Sequence, residues 1–148
     1  MARSLMPIDD RRIIIAYSGD QGRQDIRREL ANARLVEGHS CTLLSRFDKQ
    51  HLAYVSAKGV PQLFFVAHTP KQIDARQAAG VIKARNIHSV VFAIWPDVSI
   101  KRDSSDIDEV LTLTEFIPLL RPIVYAFNDH RARAELVQIA VDARNVVA

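Results

Sequence analysis

Five short runs of apolar residues, mostly β-branched or aromatic, recur along the chain, and helical spacing fills the gaps between them. They lie near 12–18 (RIIIAYS), 41–46 (CTLLSR), 62–67 (QLFFVA), 89–95 (SVVFAIW) and 122–127 (PIVYAF). A strand with one wet face alternates apolar and polar residues; these runs are nearly continuous, so both faces of each strand must be buried. Strands of that kind, alternating with helices, build a parallel sheet covered on both sides.

The intervening segments supply the covering helices. From 24 to 37, Ile26, Leu30 and Ala33 fall on one helical face, and Gly38 offers a stop. A short helix is expected over 49–58, with Leu52 and Val55 inward and Gly59 as its end. Thr69-Pro70-Lys71-Gln72 reads as a capping box with proline at the first helical position. Ala75, Ala78, Ala79 and Ile82 follow it at i, i+3, i+4 and i+7. A fourth helix is expected from about Ser105, with Ile107, Val110, Leu111 and Thr114 inward, ended or kinked by Pro118. Asp129 is expected to cap a last helix bearing Ala132, Leu136, Ala140 and Ala143. Five strands and five helices predict a three-layer αβα domain, flavodoxin-like or Rossmann-like, with strand order 2-1-3-4-5. The 148 residues suit a single α/β domain spanning 1–148, with 1–10 expected to be a flexible N-terminal segment.

Composition narrows the function classes. No apolar run approaches the ~18 residues of a membrane span, and no stretch of secretory character opens the sequence. The lone cysteine, Cys41, excludes an intramolecular disulfide and suits a reducing, cytoplasmic setting. The net charge is +3, with 15 Arg and 5 Lys dispersed among 17 acids. No block of like charge marks a nucleic-acid arm, so nucleic acid is disfavoured as a partner. His39, His51, His68, His88 and His130 stand far apart without ligand spacing, so neither a metal nor a cofactor is expected.

In an open parallel sheet of this order, ligands bind beyond the carboxyl ends of the strands, where the order reverses between the first and third. The residues expected there are Tyr17, Ser18, Gly19, Asp20, Gly22 and Arg23 after the first strand, His68 after the third, and Trp95 at the end of the fourth. Two glycines ahead of a helix could let backbone N–H groups cradle a phosphate, with Arg23 assisting and Asp20 opposing by like charge. The spacing Gly-x-x-Gly fits neither the dinucleotide fingerprint nor a Walker loop, and turn chemistry alone accounts for it. The acidic stretch 103–109 (DSSDIDE) complements a helix dipole, and places Glu109 one turn into the expected fourth helix.

Three family patterns bear on these residues. A receiver domain carries its phosphoacceptor Asp at the end of the third strand; here Ala67-His68 stands at that position, and Asp9-Asp10 precede the first strand. A cobalamin-binding loop reads Asp-x-His-x-x-Gly, whereas this chain has Asp20-x-Gly22-x-x-Asp25 and lacks the ligating imidazole. The chain resembles nucleoside 2-deoxyribosyltransferases in Tyr17-Ser18-Gly19-Asp20, in Gly38-His39, and in the run from Val90 through Ser105 and Glu109 to Pro122-Ile123. It departs from them by an additional strand–helix pair, 60–85, and by having no glycine near Glu109.

That resemblance implies a nucleoside- or nucleotide-like ligand at the carboxyl edge of the sheet, with N-glycosidic cleavage or transfer as the chemistry. Glu109 would be nucleophile or oxocarbenium stabiliser, Asp20 a second carboxylate that orients the sugar, and Tyr17 or Trp95 would stack the base. The alternative is a non-catalytic regulatory or assembly module that binds a protein partner, and the sequence leaves homo-oligomerisation open.

Overall fold

A computed structural model describes residues 12–17, 20–32, 41–44, 50, 52, 55–56, 59–67, 75–95 and 106–147. In chain order these form β1 (Ile13–Ala16), α1 (Asp20–Asn32), β2 (Cys41–Leu44), β3 (Leu63–Ala67), α2 (Ala75–Arg85), β4 (Val90–Trp95), β5 (Glu109–Thr112), α3 (Leu113–Asn128) and α4 (Arg133–Val147). The five strands make one sheet in the order β2-β1-β3-β4-β5, and every neighbouring pair is parallel. The expected architecture, strand order and first four strands are all present.

Alternate residues of each strand feed two cores. Ile13, Ile15, Leu63, Phe65, Phe92 and Ile94 point to one face, where α1, α3 and α4 cover them with Ile26, Leu30, Phe116, Ile123, Leu136 and Ala140. Ile14, Ala16, Phe64, Val66, Val91 and Ala93 point to the other, covered by Leu52 and by the alanine stripe of α2 with Ile82. Of the inward positions expected, Ile26 and Leu30 of α1, Leu52 and Val55, and Ala75, Ala78, Ala79 and Ile82 of α2 are buried or partly buried, and Ala33 lies outside the described residues. Aromatic rings brace the first face: Phe65 stacks on Phe92 at 5.4 Å and meets Phe116 at 5.0 Å. Ahead of β1, the Arg12 guanidinium donates to the Pro61 carbonyl (3.2 and 3.3 Å) and lies 5.0 Å over the Phe127 ring. No described helix is long and apolar enough to cross a membrane.

The fifth strand departs from the expectation. The segment 122–127 is not a strand but the second half of α3, and the strand is Glu109–Thr112, inside what read as the fourth helix. Thr112 ends the strand and caps the helix in a reciprocal box: its hydroxyl accepts from the Glu115 N–H (3.2 Å) and the Glu115 carboxylate accepts from the Thr112 N–H (2.9 Å). Phe116, Leu119, Leu120, Ile123, Val124 and Phe127 then recur at helical spacing and are buried. Pro118 and Pro122 lie one turn apart on the exposed side, where water can reach the carbonyls their rings leave unpaired. At about 3 kcal/mol for each interior proline and about 2 kcal/mol for each large buried side chain, the six apolar residues outweigh the two breakers.

Asp129 is correspondingly the C-terminal cap of α3 and not the N-cap of the last helix. His130 N–H donates to Phe127 O (3.0 Å) and Arg131 N–H to Ala126 O (3.0 Å), the pair of bonds that closes a Schellman turn. That turn needs a left-handed residue, and His130 supplies it at φ 59°. The N-terminal segment 1–10, the stop at Gly38 and the Thr69–Gln72 box lie outside the described residues.

At the start of β5 sits a buried ion pair. Asp108 Oδ2 accepts from Lys83 Nζ of α2 (3.0 Å) and from the Val91 N–H of β4 (2.7 Å), while Arg133 Nε of α4 stands 3.6 Å from Oδ1. The Lys83 and Asp108 side chains are only 7% and 9% exposed. Removing one partner would leave the other charge buried without compensation. Asp108→Ala is accordingly expected to lower stability by about 3 kcal/mol, read from the urea unfolding midpoint; a loss below about 1 kcal/mol would mean that water already screens the pair. Conversely, His130→Gly relieves the left-handed strain and is expected to raise stability by about 1 kcal/mol in the same assay.

Candidate functional site

The strand order reverses between β1 and β3, so the crevice that such a sheet offers lies at the carboxyl ends of these two strands. Tyr17 stands there directly after β1. Its N–H donates to the Leu44 carbonyl at 3.0 Å, which holds the chain against β2 for one residue beyond the strand. The phenol is partly buried against the first core, and that burial raises its pKa above the usual tyrosine value, because a phenolate would have to form with less water around it.

α1 begins at Asp20, so Asp20, Gly22 and Arg23 belong to its first turn. The two-glycine loop expected ahead of that helix is shorter than the sequence suggested, since Gly22 is already helical. Trp95 is the last residue of β4 and pairs with Thr112 of β5. Ser18, Gly19 and His68 lie outside the described residues. The structure thus brings Tyr17, the first turn of α1 and the backbone of Trp95 to one edge of the sheet.

Glu109 is not brought there. It opens β5, pairs in register with Phe92, and lies three residues before Thr112, roughly 10 Å from the carboxyl edge along the strand. Its level in the sheet is that of Ile15, from which three strand spacings, about 14 Å, separate it. Glu109 Oε1 accepts from the Val110 N–H at 2.9 Å. Glycosidic chemistry asks for two carboxyl groups about 5 to 9.5 Å apart across the anomeric carbon, and a residue on the amino side of an edge strand does not meet that demand from the rim.

A second concavity was not read from the sequence at all. Between the end of α3 and the start of α4 opens a cleft of about 680 Å³, with Tyr125, Ala126 and Ile139 as its apolar surface and Asp129, Glu135 and Asp142 among its polar lining. Tyr125 is 50% exposed, although the sequence placed it inside a buried strand. The signal that could have found it is Thr112-Leu113-Thr114-Glu115, a capping-box pattern that opens a helical stripe from which Tyr125 is excluded.

No family model matches the chain, and no curated protein matches its sequence. Among solved structures it is similar to a response regulator in red light signaling of R. palustris, at 12% identity and a TM-score of 0.51, over 77% of this chain and 91% of that one. At that identity the likeness is one of fold: a flavodoxin-like parallel sheet with helices on both faces.

The raised pKa of Tyr17 has a signed consequence. Below about pH 10 the phenol is protonated in both the folded and unfolded chain; above that the unfolded chain gives up the proton first, and folded stability falls as pH rises. Tyr17→Phe is expected to flatten the decline of the urea midpoint between about pH 9 and 11; an identical decline in both proteins would assign it to other groups.

Proposed function

We propose that this chain is a non-catalytic regulatory or assembly module that acts by binding a protein partner. The observation that carries the reading is the end of β3. In a receiver domain of this strand order that position holds the phosphoacceptor carboxylate; here the strand ends on Ala67, 6% exposed, which has no group to phosphorylate. A fold shared with a response regulator, without an acid at that position, supports regulation by contact in place of phosphoryl transfer. The place of Glu109 on the amino side of β5 supports the same reading, since it takes the proposed nucleophile away from the rim.

The test uses the purified full chain in three assays. Incubation with acetyl phosphate and Mg²⁺ is expected to leave the mass unchanged. A panel of nucleosides and nicotinamide dinucleotide is expected to release no free base. Light scattering on material isolated under native conditions is expected to show a stoichiometric complex with a second polypeptide. Base release that disappears in Glu109→Gln would overturn the reading and restore a glycosidic enzyme with a nucleoside ligand.

A further inference from the structure

We infer that the cleft between α3 and α4 is a docking groove for a basic amphipathic helix of a protein partner; this rests on the binding-module reading and names its surface. The groove is built by the way the two helices divide their residues. On α3, Val124 and Phe127 turn inward, which leaves Tyr125 half exposed and Ala126 half-buried. On α4, Leu136 and Ala140 turn inward, which leaves Ile139 partly buried at the cleft. An apolar floor of Tyr125, Ala126 and Ile139 therefore remains open to solvent between them. A half-exposed tyrosine beside an apolar floor is the kind of anchor on which interface energy concentrates, because it offers large contact area at small conformational cost.

The charge around that floor selects the occupant. Among the described residues four charged side chains line the cleft, Asp129, Arg131, Glu135 and Asp142, whose formal charges sum to −2 on a chain whose net charge is +3. Arg131, the cation among these four, is engaged by its neighbours: its Nε lies 3.3 Å from the Asp129 carboxylate and its Nη1 lies 3.4 Å from Glu135. Asp142 accepts from the Gln138 amide at 2.7 Å, a neutral donor that leaves its charge uncancelled. Glu135, Ile139 and Asp142 follow one another at i, i+4 and i+7, so α4 presents carboxylates on either side of an apolar residue along one helical face. The complement of such a face is a second helix with leucine-like residues at the same repeat, flanked by lysine or arginine. A phosphate-bearing partner meets repulsion at this sign of charge. The α1 helix of another copy is a poorer complement, since its exposed Arg27 and Arg28 are interleaved with Asp25 and Glu29.

Two fluorescently labelled peptides of roughly 18 residues, long enough to hold helix on a surface, test the proposal against the full chain. One carries leucines at i, i+3, i+4 and i+7 with lysine elsewhere; its twin carries glutamate in place of lysine. The lysine peptide is expected to bind, at least tenfold more tightly than its twin and more weakly as salt rises. Tyr125→Ala, and separately Asp142→Lys, are expected to weaken that binding at least tenfold with the circular dichroism spectrum unchanged. Asp142→Lys is included because it touches neither the α3–α4 turn nor Arg131, so an effect on folding cannot stand in for an effect on docking. Equal binding of the two peptides, or binding indifferent to both substitutions, would overturn the groove. A doubling of mass in light scattering that Asp142→Lys abolishes would overturn it too, in favour of a second copy as occupant. A native partner complex that survives both substitutions would leave the module reading standing and remove this surface, whereas base release sensitive to Glu109→Gln would remove the reading itself.

Discussion

One carboxylate at the start of the last strand ties together elements that the sequence keeps far apart. Asp108 takes the Val91 N–H of β4 and the Lys83 ammonium of α2, and faces the Arg133 guanidinium of α4, so a strand and helices from both layers meet on it. Its own N–H donates to the Val91 carbonyl at 2.9 Å. The side chain thereby extends the β4–β5 ladder by one rung before β5 begins. β5 is short, and a short edge strand gains little from its own hydrogen bonds. A buried ion pair there acts mainly by specifying position, since replacing both partners with apolar groups could be neutral while removing one is costly.

Where β5 lies decides the rest of the molecule. Because the strand is Glu109–Thr112, the chain returns at Thr112 into a helix long enough to span the sheet and reach its amino edge. That helix packs on α1, with Arg121 donating to Glu29 at 3.1 Å, and its end turns through His130 into α4. The cleft between α3 and α4 exists because of this return. The carboxyl edge, by contrast, keeps Tyr17 and the first turn of α1 but not Glu109. The fold therefore takes a carboxylate from the edge where a parallel sheet usually binds ligands and builds a separate concavity at the opposite end.

The legibility of the chain follows burial. Strands β1, β3 and β4 are buried on both faces, so their sequence had to be continuously apolar, and continuous apolar runs are easily found. α2 was equally plain, since its alanine stripe repeats at 3.6 residues and has no competing period. β5 was hidden because four residues carry too little pattern, and the acids before it fit a helix start as well as they fit a buried anchor. α3 is hidden in the sequence because a run such as 122–127 satisfies both periods locally, while Pro118 reads as a helix end and Pro122 as a strand start. On the candidate site, Tyr17 and Trp95 are readable as strand-end positions from order along the chain alone, whereas Asp20, Gly22 and Arg23, expected in a loop, lie in the first turn of α1.

The sequence by itself determined the layered parallel sheet, its order and the core residues of β1, β3, β4 and α2, because hydrophobic burial writes a periodic signal into the chain. It did not determine which of two competing segments would become the fifth strand. Thr112 and Glu115 could cap a helix only if the chain arrived at Thr112 in extended form, and Asp108 could sit buried only where Lys83 and Val91 were waiting to compensate it. Both conditions are set by residues distant in sequence, so the place of β5, and with it the position of Glu109 and the α3–α4 cleft, was decided by tertiary packing.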